Sequence, residues 1–201
     1  MSLTLLDWRR RVAALYAAVR EDTTADPAGV LACFRAGRGG LFAGHPDSPL
    51  TAEERAVFTG LPYWPYDPAL RFEVEVEPAP AERLTAISST FEPYPLDRIG
   101  RVSLPMGTLD VFWVAVYGGG VFLPFRDGTS GKESYGAGRY LLDTVKGADL
   151  GGTDGRLVVD FNYAYNPSCA YDPQWSCPLA PPANRLTVPI RTGERFDTAN
   201  H

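Results

Sequence analysis

The chain has 201 residues, 45% of them hydrophobic and 21% charged, ordinary values for a folded globular protein that can build its own core. Its net charge of −5 and pI near 5.1 argue against nucleic-acid binding, which normally leaves a basic footprint. No window carries the apolar run of a membrane helix. The opening MSLTLLDWRRRV is a poor signal peptide, because its arginines follow the apolar residues and Asp7 interrupts them. The chain therefore reads as cytoplasmic, off the membrane, with its three cysteines as reduced thiols.

The first predicted element is a helix. Leu5, Trp8, Val12, Leu15, Tyr16 and Val19 recur at three- and four-residue steps, and Thr4 with Asp7 has the spacing of a weak capping box. A second helix is expected from Asp26-Pro27, with Val30, Leu31 and Phe34 as its buried stripe, Cys33 packed beside them, and Gly39-Gly40 as its stop. A short third helix fits 51–58, where Thr51 and Glu54 form a capping box.

The period then changes from 3.6 to 2. RFEVEVE alternates Phe72, Val74 and Val76 against Glu73, Glu75 and Glu77, the pattern of a half-buried antiparallel strand. Weaker strands are expected at 83–88 and 101–104. The run 108–117 is apolar on both faces and belongs at the centre of a sheet. Gly118-Gly119-Gly120 turns it into VFLPF, where Pro124 implies an edge strand or a strand end. Further strands are expected at 138–145, at 156–165 and, last, at 185–190, with a fraying tail to His201. The fold class is α+β in one domain spanning 1–201. A helical N-terminal subregion (1–60) precedes a β-rich core (70–192), whose mostly antiparallel sheet can curl into a barrel.

Two stretches concentrate unusual chemistry. Along 156–165, strict alternation puts Asp160 and Asn162 on one face and Phe161, Tyr163 and Tyr165 on the other. In FRDGTSGKESYGAGRY, the glycines allow close backbone approach, while Thr129, Ser130, Lys132, Ser134 and Arg139 offer donors to an anion. Neither nucleotide motif applies. A P-loop needs Gly where Arg126 stands, and a dinucleotide fingerprint from Gly136 needs Gly where Leu141 stands. A glycine-rich hairpin is the plain alternative. Cys169 and Cys177 have seven residues between them, not the two to four of a zinc knuckle, so no metal site is assigned; His45, Asp160 or Asp172 would have to be recruited. Buried thiols are the simpler reading.

The run Phe125, Asp127, Thr129 and Gly131, continuing through Tyr135 and Gly138-Arg139-Tyr140, has a counterpart later in the chain. That second block holds Asn162, Ala164-Tyr165-Asn166-Pro167, Cys169-Ala170-Tyr171, Cys177-Pro178-Leu179 and Asn184-Arg185-Leu186. Together they resemble the signature blocks of an uncharacterised prokaryotic family, domain-of-unknown-function family 1684. HPDSPL and YDPALR are similar to one branch of it. The resemblance brings no activity; it implies that the two stretches belong to one recurring unit.

Two functions from different classes remain open. The first is a small-molecule site between the segments 125–140 and 160–186, lined by Tyr135, Arg139, Asn162, Asn166, Cys169, Tyr171 and Arg185. Arg139 and Arg185 would hold an anionic group, and Asp160 would act as a general base or acceptor. The second is a non-enzymatic structural or interaction module. In it the segments form an internal polar clasp, with the two arginines paired to Asp127, Asp160 or Asp172. A third possibility, thiol or metal chemistry at Cys169 and Cys177, follows only from their residue types. The sequence names no cofactor.

Overall fold

The computed structural model describes residues 3–196. Three helices come first: α1 (Leu3–Glu21), α2 (Pro27–Gly44) and α3 (Ala52–Ala56). Asp26 caps α2 by accepting from the Gly29 N–H at 2.9 Å, and Pro27 occupies the first turn. Thr51 and Glu54 form the expected reciprocal capping box on α3. Thr4, by contrast, lies inside α1, where it cannot serve as a cap; Asp7 pairs instead with Arg11 and His45.

The glycine pair does not end α2. Gly39 and Gly40 stay helical, at a propensity cost of about 1 kcal/mol each. Leu41 and Phe42 are buried just beyond them, and that burial carries the helix one further turn. Gly37 has a different purpose, since a Cβ there would meet Leu15 of α1 at 2.5 Å; its absence lets the two helices approach. Cys33 is exposed, because it lies on the opposite side of α2 from Leu31.

Seven strands follow: β1 (Arg71–Glu75), β2 (Glu82–Ile87), β3 (Pro93–Leu104), β4 (Gly107–Val114), β5 (Val121–Phe125), β6 (Arg139–Asp143) and β7 (Arg156–Asp160). They form two open antiparallel sheets. One is a five-stranded sheet in the order β2-β3-β4-β5-β6; the other is a β1-β7 ribbon. The barrel option is not taken. β4 is central, and it is buried on both faces: Leu109 and Val111 join the core beneath the ribbon, while Phe112 and Val114 join a second core on the other side. A third cluster packs Tyr16, Leu31 and Phe34 of the helices against Tyr163 and Leu150.

Pro124 is not on an edge strand, for β5 lies between β4 and β6. It is accommodated because the β4–β5 ladder stops at Phe122 and a bulge precedes Pro124 on the β6 side. The buried Asn184 side chain fills the gap where β4 and β5 part. Its Oδ1 accepts from Asp110 N, and its Nδ2 donates to the Asp110 and Pro124 carbonyls, all at 2.8–2.9 Å. One amide thereby satisfies three buried backbone groups that the ladder leaves open.

Two expected strands are shorter or absent. β7 ends at Asp160, whose carboxylate accepts from Asn162 N at 2.9 Å and starts a 3₁₀ turn at Phe161–Tyr163. Residues 185–190 form no strand beyond one parallel bridge, Arg126↔Arg185. There Pro189 lacks a donor, and Ile190 N is taken by the Asp127 side chain. The tail is also more ordered than expected. Thr192, Glu194 and Phe196 are buried, held by backbone bonds to Trp64, Ala164 and Pro62. Gly193 permits this, with φ +74° and two carbonyl oxygens 2.6 Å from where a Cβ would sit. Residues 197–201 lie outside the described residues.

Candidate functional site

The glycine-rich 125–140 segment closes on itself. Thr129 Oγ1 donates to Asp127 Oδ1 at 2.8 Å and meets Ser134 Oγ at 2.8 Å; the Thr129 carbonyl accepts from Lys132, Glu133 and Ser134. The Thr129, Ser130 and Ser134 hydroxyls are therefore engaged within the segment. Arg139 opens β6 with a fully buried guanidinium. One terminal nitrogen donates to the Thr192 and Glu194 carbonyls (2.5 and 3.3 Å), and the other to the Ile190 carbonyl (2.8 Å) and Asp127 Oδ2 (3.4 Å). The Trp64 and Phe125 rings flank it at 5.0 Å. Only the Nε–H lacks a partner among the described residues. Burial pulls this guanidinium down to about 10, with Asp127 opposing, so it stays charged at neutral pH. Arg139 thus clasps the C-terminal segment to the sheet.

A second buried charge pair has no counterpart among the residues singled out from the sequence. Glu194, fully buried, accepts from Arg38 at 3.0 Å, from Asn166 Nδ2 at 3.2 Å and from the Tyr171 hydroxyl. The Arg38 guanidinium lies over Phe42 and Tyr165, 4.9 and 5.0 Å from the ring centres. One signal was present: Arg38 continues the Leu31, Phe34 stripe at helical spacing, and a charge on an apolar stripe asks for a buried partner.

Asn166 and Tyr171 therefore meet at Glu194, and Tyr135 meets Cys169, its hydroxyl donating to the sulfur at 3.8 Å. The other proposed residues scatter. Arg185 is exposed. Asp160 and Asn162 pair with one another at 2.8 Å, and Asn162 completes its bonding with both backbone groups of Asp67. Burial raises the Asp160 carboxyl above the usual carboxylate range, against the Asn162 hydrogen bonds that lower it. An acid whose native pKa exceeds its unfolded one gains stability as pH falls through the window between them. Asp160→Asn, which keeps an acceptor for Asn162, is expected to be at least as stable as wild type at pH 7. Wild type should gain on it as pH drops toward about 4, measured as urea midpoints at both pH values. A wild type that loses ground on acidification contradicts this.

Two concavities adjoin these residues. A groove of about 490 Å³ runs between the end of α1 and β7 and reaches Asp160. Its cations are engaged, Arg71 with Glu73 and Arg20 with the Asp149 carbonyl, and none of its lining residues carries an unpartnered buried polar atom. A smaller cavity, about 70 Å³, lies between α1 and the loop 165–175. Trp8, Tyr140, Tyr165 and Trp175 wall it; Arg9, Arg38 and Lys146 border it, with Asp47 as the single lining carboxylate. Asp47 Oδ2, Asn166 Oδ1 and Trp175 Nε1, all buried, have no hydrogen-bond partner among the described residues. Among those residues no group of three or more His, Cys, Asp or Glu is gathered as a metal would need, and no helix is long and apolar enough to cross a membrane.

Open antiparallel sheets, a helical N-terminal layer and polar loops clasped by buried arginines define the class as an α+β protein with a β-rich C-terminal unit. The chain belongs to the family described as protein of unknown function (DUF1684), whose model matches residues 56–195. It is similar to the solution NMR structure of the uncharacterized protein from gene locus rrnAC0354 of Haloarcula marismortui. The two are 32% identical over 84% of this chain and 93% of that one, with a TM-score of 0.56. No curated protein matches the chain.

Proposed function

We propose that the chain binds a small anion that also carries an O–H or N–H group, in the cavity between α1 and the loop 165–175. One observation carries this reading: Asn166 Oδ1 and Trp175 Nε1 are buried, unpartnered and part of a cavity bordered by Lys146 and Arg9. A buried polar atom left unpaired costs about 1–3 kcal/mol, so a molecule that meets both is favoured. Arg9 and Lys146, the latter 3.8 Å from the Asp143 carboxylate, favour negative charge there, against the Asp47 carboxylate in the same lining. Asn166 Oδ1 accepts only, because its amide nitrogen is committed to Glu194 and the Arg195 carbonyl, and so selects a donor on the ligand. The volume suits a carboxylate beside a hydroxyl or amine, not a nucleotide. In this reading the anion contacts pass from Arg139 and Arg185 to Lys146 and Arg9, still between Tyr140 of one segment and 165–175 of the other.

Native mass spectrometry of freshly purified protein, followed by calorimetric titration with glycolate, acetate and phosphate, tests it. Glycolate is expected to bind more tightly than acetate, and Lys146→Met to weaken it about 10- to 100-fold, the worth of one charge-assisted hydrogen bond. No copurified mass and no heat with any of the three would sink the idea. A second, non-enzymatic reading is favoured by Arg139, whose two terminal nitrogens donate to protein carbonyls and Asp127. In that reading the two segments serve only as an internal clasp, and none of these anions binds.

A further inference from the structure

The groove between the end of α1 and β7 is organised by one buried side chain, Asn162. Its Nδ2 and its backbone N–H both donate to Asp160 Oδ1, at 2.8 and 2.9 Å, which fixes that carboxylate. Nδ2 also donates to the Asp67 carbonyl at 2.8 Å, and Oδ1 accepts from Asp67 N at 2.9 Å, which fixes the segment that carries Tyr66. Asp160, Tyr163 and Tyr66 are thereby held around one groove of about 490 Å³. Each of the three has an unused polar atom. Both bonds to Asp160 fall on Oδ1, so Oδ2 accepts none among the described residues. The Tyr66 and Tyr163 hydroxyls make no hydrogen bond among those residues either. Asp160 is only 4% exposed and Tyr163 6%, and both line the groove.

We propose that this groove is a second binding site, for a neutral saccharide of hexose size. Its volume lies in the range of small-ligand sites. Its charges balance, Asp22 and Asp160 against Arg20 and Arg71, so the lining selects neither an anion nor a cation. Both guanidiniums are also drawn away, Arg20 to the Asp149 carbonyl and Arg71 to Glu73. What remains is hydrogen bonding. An ionised carboxylate only accepts, so Asp160 Oδ2 takes a proton from a ligand hydroxyl, whereas a tyrosine hydroxyl both donates and accepts. Adjacent sugar hydroxyls, each a donor and an acceptor, match that set. The C–H faces of the sugar ring are served by Val19, Leu150 and Val158 and by the apolar bodies of the two tyrosines. Asn162 is the positioning residue, since it orients Asp160 and anchors the Tyr66 segment. The groove shares no lining residue with the cavity at 165–175 and needs no ligand there.

The test is amide chemical-shift mapping on the isotope-labelled full chain. The probes are glucose, galactose, mannose and maltose, with putrescine as a cationic comparison. At least one sugar is expected to shift the amides of 66–67, 150–153 and 160–163 in a saturable way. In Asp160→Asn the side-chain oxygen stays with Asn162 and an amide nitrogen replaces Oδ2, so an acceptor on the groove becomes a donor. That variant should bind the sugar at least about 10-fold more weakly, the worth of one charge-assisted hydrogen bond. Tyr66→Phe, at a half-buried position, should weaken it about 5-fold. No sugar-dependent shift at these amides overturns the proposal. So does a sugar affinity that Asp160→Asn leaves unchanged, and so does a response to putrescine where no sugar gives one. The wild-type mapping stands without either variant, so a folding defect in one of them does not shield the idea.

Discussion

Arg139→Met is expected to lower folding stability by about 3–5 kcal/mol, a large part of the 5–15 kcal/mol typical of a folded domain. Methionine roughly fills the space but supplies no donors. It strands the carbonyls of Ile190, Thr192 and Glu194 in a buried site and removes the cation beside Asp127. The carbonyl bonds, at 2.5–3.3 Å, hold the guanidinium more closely than Asp127 does at 3.4 Å. Asp127→Asn should therefore cost less, because an amide oxygen in place of Oδ2 still accepts from Ile190 N, while the amide nitrogen that replaces Oδ1 no longer accepts from Thr129. Arg139→Lys should recover only part of the loss, since an ammonium lacks the planar fork that reaches several carbonyls. Urea unfolding followed by circular dichroism gives the stability. Trypsin gives the location, because Arg191 and Arg195 are exposed on the segment that Arg139 ties down and should be cut faster in the methionine variant. A loss below about 1 kcal/mol, the range of surface ion pairs, would show that the clasp does not hold the segment.

Local rules were legible where local physics decides. Thr51 and Glu54 cap α3 because the box closes within four residues, and the run at β4 is central because it is apolar on both faces. The two unusual stretches do meet, at the Tyr140–Tyr165 bridge and at the Tyr135–Cys169 contact. What stayed hidden depended on groups far apart in the chain. Alternation continues past Asp160 on paper, yet the Asp160 side chain turns the backbone at once. The hydrophobic pattern of 185–190 resembles a strand, but its backbone donors are claimed by Arg126 and an aspartate side chain. Arg139 and Arg185 are of one residue type on similar strand-like segments; only the folded chain shows that one is buried and the other exposed. The tail looked free because a short polar run has no period. Its burial follows from Glu194 reaching an arginine 156 residues away.

The pair formed by Glu194 and Arg38 supplies the second large effect. Glu194→Leu is expected to cost about 3–5 kcal/mol, because it leaves a mostly buried guanidinium without its carboxylate and strands the Asn166 amide and Tyr171 hydroxyl donors. Arg38→Met should cost a similar amount by leaving Glu194 charged in a fully buried site. The double variant distinguishes pairing from packing. If the charges mainly neutralise one another, removing both should recover most of either single loss, with a coupling energy above about 2 kcal/mol. If instead each side chain matters for its own packing, Arg38 against Phe42 and Tyr165 and Glu194 within the tail, the losses should add. Glu194→Gln separates charge from hydrogen bonding, since the amide still offers an oxygen to Asn166 and Tyr171. It should fall between wild type and Glu194→Leu. Additive losses in the double variant would mean that the buried charge pair is not what fixes the C-terminal segment against α2, and would leave that to the Arg139 clasp and the backbone bonds to Trp64, Ala164 and Pro62.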